Sequence, residues 1–403
     1  MRKKILIVDD DVYVAELMAN YLGAADYEVI TVNDSTLAMG KIGSFKPDLI
    51  ILDLMMPNIP GMSLLAQIRN DATLDDVKVL VCSAKGFWYD YRTCLEAGAD
   101  GYLVKPVRPE ESLTIITNLL TDAIKVTFWG TRGSIARPGK ATLKYGGNTS
   151  CVSVELTRDR LFVFDAGTGI VDLGHSLIAT NRRYKINLFI SHPHWDHIQG
   201  LPFFQPLYQQ GNEIAIHGTG QGNLTLQQVI GGQMETIYFP VTVREFSSRV
   251  YFKELAEGDY EVEKLRVQTM NLYHPGITLG YVVTNSSGKS VAYITDNELT
   301  PDRDVFNRNR LVKLLEGVDI LIHDANYFDE EYPGKTGWGH SPVSEVLELA
   351  ADARVKRLYL FHHDPMHDDA AVDKKEALGK RFFEQRGLDI ECFCAREGHS
   401  ISI

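Results

Sequence analysis

Short apolar runs that stop at a residue able to do chemistry recur along this chain. Residues 5–8 (ILIV) run into Asp9 and Asp10, 49–52 into Asp53, 79–82 into Ser83 and 102–104 into Lys105. Apolar runs without alternation are expected of parallel strands covered on both faces. In open parallel sheets, functional groups gather beyond the carboxyl ends of the strands. Between the first runs, Val14, Leu17, Met18 and Tyr21 fall on one face of a helix. The alternation predicts an α/β fold with crossover helices. Three carboxylates at one sheet edge cannot all stay ionised without a cation, and hard oxygen ligands suit Mg²⁺. Lys105 and the Ser83 hydroxyl opposite them suit the oxygens of a phosphoryl group.

These residues closely resemble the response-regulator receiver family. The matches are ILIVDDD at 5–11, Asp53-Leu54-Met55-Met56-Pro57 with Gly61, Ser83-Ala84, and Gly98-Ala99-Asp100-Gly101-Tyr102 leading to Lys105-Pro106. The resemblance implies a flavodoxin-like, doubly wound domain in which Asp53 accepts a phosphoryl group from a cognate histidine kinase. Asp9 and Asp10 would hold Mg²⁺, and Ser83, Tyr102 and Lys105 would read out the phosphorylated state. A helix expected over residues 110–124 ends this part. Residues 126–129 begin the next strand with no Gly/Ser- or Pro-rich linker between. The expected domains are therefore 1–124 and 125–403.

The second part carries a sharper signal. A strand-like run at 186–191 leads into His192-Pro193-His194-Trp195-Asp196-His197. So many imidazoles would be poor core residues, since buried polar groups need partners, but imidazole and carboxylate suit Zn²⁺, Fe or Mn²⁺. Downstream, His274, Asp296 and the His362-His363 pair each follow an apolar stretch or sit in a turn. Together they offer donors for two metals about 4 Å apart sharing a carboxylate. The order resembles the metallo-β-lactamase superfamily, a four-layer αβ/βα sandwich, and within it the ribonuclease Z-like and cyclic phosphodiesterase branch. Carried across, His192, His194 and His274 would hold one metal. Asp196, His197 and His362 would hold the other, with Asp296 bridging and His363 a rival for the place of His362. Asp165, in a Phe-Asp-Ala-Gly-Thr-Gly stretch, would stand behind the histidine loop.

Two adjacent cations would supply hydroxide near neutral pH and offset charge at an attacked centre. That fits lactonase, thioesterase and phosphodiesterase chemistry alike. Gly339-His340-Ser341-Pro342 precedes an amphipathic helix pattern that Ser341 is expected to cap, with Pro342 in its first turn. His340 beside a helix start could bind an anion or give a proton to a leaving alkoxide. Asp324, resembling the acid that orients this histidine in ribonuclease Z-like enzymes, would favour its charged form. Together these residues favour a phosphodiester substrate, with Asp196, His340 and Asp324 as the catalytic group. Arg132 reads either as a substrate contact or as half of a structural ion pair.

Charge bears on partners. Residues 1–125 hold 12 Lys+Arg against 18 Asp+Glu, and the rest 29 against 35, so neither part is basic. Nucleic acid is expected only as an RNA substrate of an alternative endoribonuclease. A redox di-iron protein and an inert signalling scaffold are further alternatives on this fold. Regulation through dimerisation is compatible with the fusion. No apolar run approaches the roughly 18 residues of a membrane span, and five cysteines read as reduced thiols. Both point to a cytoplasmic protein, with Cys392 and Cys394 half-buried on a late strand rather than metal-bound.

Overall fold

The computed structural model describes the chain except residues 1, 75, 85–92, 95–96, 121–123, 158–159, 181 and 300–306. The chain forms two compact units, Met1–Ala123 and Ile124–Ile403. Ile124, expected at the end of the first, belongs to the second: its backbone exchanges hydrogen bonds with Ile403, 3.1 Å each way.

The first unit has a parallel sheet in the order β2-β1-β3-β4-β5. Its strands are β1 (Lys4–Val8), β2 (Glu28–Val32), β3 (Leu49–Asp53), β4 (Lys78–Ser83) and β5 (Gly101–Val104). Successive residues of β1 and β3 feed opposite faces. Leu6, Val8, Ile50 and Leu52 enter one core, and Ile5, Ile7, Leu49 and Ile51 the other. The helix Val12–Ala24 buries Ala15, Met18 and Leu22, whereas Leu17, expected inside, is exposed. The buried stripe runs i, i+3, i+7 from Ala15, and Leu17 is rotated about 100° from Met18. The last helix is Pro109–Leu120; the rest of its expected span at 121–123 lies outside the described residues.

The second unit contains two seven-stranded sheets: one ordered β11 (Arg249–Glu254), β10 (Glu213–Gly218), β9 (Lys185–Phe189), β8 (Arg160–Phe164), β7 (Cys151–Thr157), β6 (Lys125–Gly130) and β19 (Ser400–Ser402), the other β12 (Gly258–Val262), β13 (Leu265–Asn271), β14 (Leu279–Thr284), β15 (Ser290–Ile294), β16 (Ile320–Asp324), β17 (Arg357–Phe361) and β18 (Glu391–Cys394). Those that matter for the site are β8, β9, β15, β16 and β17. Phe162 and Phe164 face a shared inter-sheet core with Tyr293, Ile320, Ile322 and Phe361. The alternate residues Leu161 and Val163 pack outward against the helix Ile170–Ala179. Leu321 and Leu358 pack outward beneath Val343–Asp352 and Asp369–Gln385. The layers are thus αβ/βα. Strand β8 runs parallel to β9, and β15, β16 and β17 run parallel to one another, so their carboxyl ends open on one edge.

Candidate metal centre

In the first unit, Asp9 and Asp53 follow or end neighbouring strands and are buried, while Asp10 is exposed. One carboxylate oxygen from each lies within 4.8 Å of the others. Lys105 Nζ stands 2.8 Å from Asp9 Oδ2 and 3.5 Å from Asp53 Oδ1. Burial pushes the Asp9 carboxyl above its ordinary range, and the Lys105 contact only partly offsets it. Ser83 ends β4 fully buried, and its carbonyl accepts Lys105 N–H at 2.9 Å. Tyr102 sits two residues back along β5, half-buried against the core of Leu52 and Val81.

In the second unit the strand ends bring the expected donors together. His192, His194 and His274 form one group, and Asp196, His197, Asp296 and His362 another, with donor atoms within 4.8 Å inside each. Asp296 faces both. Its Oδ2 is 3.6 Å from His192 Nε2 and from His274 Nε2, and its Oδ1 is 3.3 Å from His197 Nε2 and 3.2 Å from His362 Nε2. Asp196 Oδ2 lies 3.2 Å from His197 Nε2 and 3.1 Å from His362 Nε2. His363 points away, 3.1 Å from the carbonyl of Ala395 and edge-on to Tyr145.

The protonation pattern fits cations. His197 Nδ1 donates to Asp165 Oδ2 at 2.7 Å, which leaves the Nε2 lone pair facing two carboxylates, buried and without a partner. His274 Nδ1 donates to the carbonyl of Gly339 at 3.0 Å, so its Nε2 lone pair meets His194 Nδ1 at 3.1 Å. Nitrogens and carboxylates converging this way call for positive charge between them. The donor set therefore suits two divalent cations of the zinc, manganese or iron type.

A second layer holds this arrangement. Asp165 is fully buried and takes Ser191 N–H at 2.7 Å, Ser191 Oγ–H at 2.9 Å and the Tyr293 hydroxyl at 2.8 Å, besides His197. Asp165, Asp296 and His362 all have left-handed backbones, with φ of 59°, 53° and 55°. Non-glycine residues rarely adopt this region, and strain of this kind clusters at functional sites. The Gly-Thr-Arg-Gly-Ser loop closes one side: Ser134 N–H donates to Asp196 Oδ2 at 2.7 Å, and a Cβ on Gly133 would collide with the His362 ring. Ser191 and Tyr293 are ordinary in sequence and become visible only through these contacts.

His340 adjoins the cluster. Its Nδ1 is 3.2 Å from Asp324 Oδ2 and 3.8 Å from Asp296 Oδ2. Burial opposes its charged form, but Asp296 and the Asp324 hydrogen bond prevail, so its pKa is raised. Ser341 does not cap the following helix. Its hydroxyl donates to the Asn297 carbonyl at 2.6 Å and accepts Leu299 N–H at 3.0 Å, and Pro342 itself stands at the cap position. Extended backbone at Pro342 leaves Ser341 aimed into the loop that follows Asp296. Arg132 is likewise neither of the expected things: fully buried, it donates to the carbonyls of Gly146, Asp364 and His367 at 2.9, 3.2 and 2.6 Å. It ties the first loop to the His362 loop. All five cysteines are free and buried, including Cys392 and Cys394.

Comparison with known proteins agrees with this architecture. Residues 5–117 match the family model of the response regulator receiver domain, and residues 160–363 that of the beta-lactamase superfamily domain. The alkaline phosphatase synthesis transcriptional regulatory protein PhoP of Bacillus subtilis is 39% identical over 111 residues, which is 28% of this chain and 45% of PhoP. The DNA-binding response regulator MtrA of Mycobacterium tuberculosis is 35% identical over 111 residues, 28% of this chain and 47% of MtrA. The chain thus spans about half the length of the curated relatives it matches. Among solved structures, the metallo-beta-lactamase fold protein YhfI from Bacillus subtilis aligns with a TM-score of 0.53 at 17% identity, covering 70% of this chain and 100% of YhfI. A diphosphatase from the PhnP family aligns at 0.50 and 18%, covering 70% and 98%. Among the described residues no helix is long and apolar enough to cross a membrane. With over half of its residues inside the second family model, the chain belongs to the beta-lactamase superfamily and carries a response regulator receiver domain ahead of that fold.

Proposed function

We propose that this chain is a response regulator whose output is a dinuclear-metal phosphodiesterase for small or cyclic phosphodiesters, controlled by phosphorylation of Asp53. The observation that carries the reading is the His340–Asp324 pair, 3.2 Å apart and beside the Asp296 carboxylate. A histidine oriented by a buried carboxylate at the edge of a cation cluster suits a substrate with a negatively charged nonbridging oxygen and an alkoxide leaving group. His192, His194 and His274 would hold one divalent cation, Asp196, His197 and His362 the other, and Asp296 both. Bound there, the cation pair would supply hydroxide near neutral pH and neutralise charge at the phosphoryl centre.

The chain's own residues do the rest. Asp165 fixes His197 by accepting a hydrogen bond from its Nδ1–H, and the Gly339 carbonyl fixes His274 in the same way. Asp324 orients His340 so that its free nitrogen can hold a proton for the leaving oxygen. In the receiver, Asp53 would accept the phosphoryl group from a histidine kinase, with Mg²⁺ on Asp9 and Asp10 and Lys105 against the transferred oxygens. The phosphoryl group, carrying about two negative charges where the carboxylate carried one, would then be read by Ser83 and Tyr102, through dimerisation or through a change at the hydrolase mouth. PhoP is a transcriptional regulatory protein and MtrA a DNA-binding response regulator by name, but here the receiver is joined to a different fold, so the kinase input is the part carried over.

The test is hydrolysis of bis-p-nitrophenyl phosphate by protein loaded with zinc, manganese or iron, with and without beryllofluoride. Turnover that vanishes in Asp196→Ala and His340→Ala and changes with beryllofluoride supports the reading. Activity on lactones or thioesters alone refutes the phosphodiester assignment, and equal rates with and without beryllofluoride refute the control.

A further inference from the structure

Strand β18 has four residues and β19 three, and each closes one edge of its sheet. Between these short edges the inter-sheet core opens into a cavity of about 450 Å³. Small-molecule sites occupy roughly 300–1,000 Å³. Strands β17 and β18 run in parallel register, pairing Arg357 with Glu391 and Tyr359 with Phe393. The two-residue period of a strand turns all four to one face, and all four line the cavity. Its wall is aromatic: the Tyr359 ring lies 5.4 Å from Phe393 at 26° and 6.2 Å from His399 at 38°. Burial, reinforced by Arg396, holds the His399 imidazole below its ordinary range, so it adds a neutral ring. None of the seven cation donors lines this space. It lies on the side to which His363 points, since Tyr145, part of the lining, meets that ring edge-on at 5.9 Å.

Most polar groups of the lining are already matched. Arg357 pairs with Glu391 and Lys144 with Asp373. Glu376 pairs with Lys380 and accepts the Cys394 N–H at 2.9 Å. Two groups are left over. Among the described residues Arg396 forms no ion pair, and the Tyr359 hydroxyl has no hydrogen-bond partner although that residue is 1% exposed. Burial pushes this hydroxyl up to about 12, so at neutral pH it is a donor. A buried donor without an acceptor is rare and costly. One spare guanidinium and one spare hydroxyl match one anionic group. Ring faces and edges prefer a flat ring as neighbour, and Glu376 and Glu391 oppose a second negative charge. We propose that this cavity binds a small aromatic monoanion, with its ring against Tyr359, Phe393 and His399 and its anionic group on Arg396 and the Tyr359 hydroxyl. The site is separate from the metal centre and independent of the phosphodiesterase reading.

The experiment is equilibrium dialysis of the metal-loaded full chain against four probes: 2-naphthoate, its uncharged amide, the saturated decahydro-2-naphthoate and naphthalene-2,6-dicarboxylate. 2-Naphthoate is expected to bind one site per chain, about tenfold more tightly than each of the others, the scale of one charge-assisted hydrogen bond. Arg396→Gln should erase the preference for the anion over the amide. Tyr359→Phe, which keeps the ring, should weaken 2-naphthoate by about fivefold, the scale of one neutral hydrogen bond. Asp196→Ala should bind 2-naphthoate as the unmodified chain does. Binding lost in Asp196→Ala and kept in Arg396→Gln would place the anion at the metal centre and overturn the cavity site. Equal binding of 2-naphthoate and its amide, tighter binding of the dicarboxylate, or no binding of 2-naphthoate at millimolar concentration would overturn it too. The comparison of probes needs no variant, so a misfolded variant leaves the outcome decided.

Discussion

Glu298 accepts the backbone N–H of Gly339 at 2.9 Å, and the carbonyl of the same glycine accepts the Nδ1–H of His274 at 3.0 Å. Glu298 is fully buried and also takes Gly337 N–H at 2.8 Å and the Tyr332 hydroxyl at 2.6 Å. One carboxylate therefore shapes the loop that carries Trp338, Gly339 and His340. Glu298→Gln keeps the volume but turns an amide NH₂ towards a backbone N–H. A buried donor left unpaired costs about 1–3 kcal/mol. The expected result is a lower melting temperature together with weaker retention of the cation on His192, His194 and His274 during chelator titration. Gly339→Ala should act more severely, because φ there is +84° and a Cβ would collide with His274 Nδ1. Metal retention identical to the unmodified chain in both variants would remove the link.

The receiver makes a separable prediction. With Lys105 Nζ 2.8 Å from Asp9 and 3.5 Å from Asp53, the lysine already bridges one of the two proposed Mg²⁺-holding carboxylates and the proposed acceptor. Asp53→Asn should take up no phosphoryl group from acetyl phosphate, as read by intact mass. Asp9→Asn should retain Asp53 but slow uptake about a hundredfold, the scale of losing one electrostatic contact to a developing charge. Uptake by Asp53→Asn at the normal rate would move the acceptor elsewhere.

How far the sequence reached follows from which information is local. Strand ends were legible because a run such as residues 49–52 is apolar at every position and then stops at Asp53. The donors of the cation cluster were legible for the same reason, and the structure gathers all seven. Helix faces were less so: one residue of phase error put Leu17 inside and missed Ala15. Ser341 matched a capping pattern, yet its hydroxyl is claimed by Asn297 and Leu299, 44 and 42 residues away. Glu298, Tyr293 and Ser191 carry no motif of their own. Their importance lies in long-range hydrogen bonds, which no window of sequence encodes. The choice between His362 and His363 also needed three dimensions, since adjacent residues point to opposite sides.

A pH dependence follows from His217. It is buried, stacked on Phe189 at 4.5 Å, with Nε2 2.9 Å from Asn187 Oδ1. Burial, reinforced by Lys253, pushes its pKa down to about 4. The folded state therefore resists a proton that the unfolded state accepts near 6.5. Above pH 6.5 the group is neutral in both states and contributes no pH dependence; as pH falls from 6.5 towards 4, stability is lost. By linkage the loss at pH 5 is about 2 kcal/mol. Urea unfolding at pH 7 and pH 5 should show a smaller acid penalty in His217→Gln than in the unmodified chain. An equal penalty in both would assign the acid sensitivity to other groups.

The neighbouring histidines of the last loop give the cleanest division between chemistry and architecture. His362, left-handed at φ 55° and held by Asn326 at 3.1 Å, faces Asp196 and Asp296. His363 is equally buried but donates Nε2–H to the Ala395 carbonyl. His362→Ala removes a donor where carboxylates already crowd, so one cation should be lost and phosphodiester turnover should fall about a thousandfold. His363→Leu leaves the cluster intact and strands one buried carbonyl, at a cost of about 1–3 kcal/mol. It should melt earlier while keeping both cations, as read by elemental analysis of the dialysed protein. The reverse pattern, with cations lost on changing His363 and kept on changing His362, would show that the two residues exchange places around the bound metals.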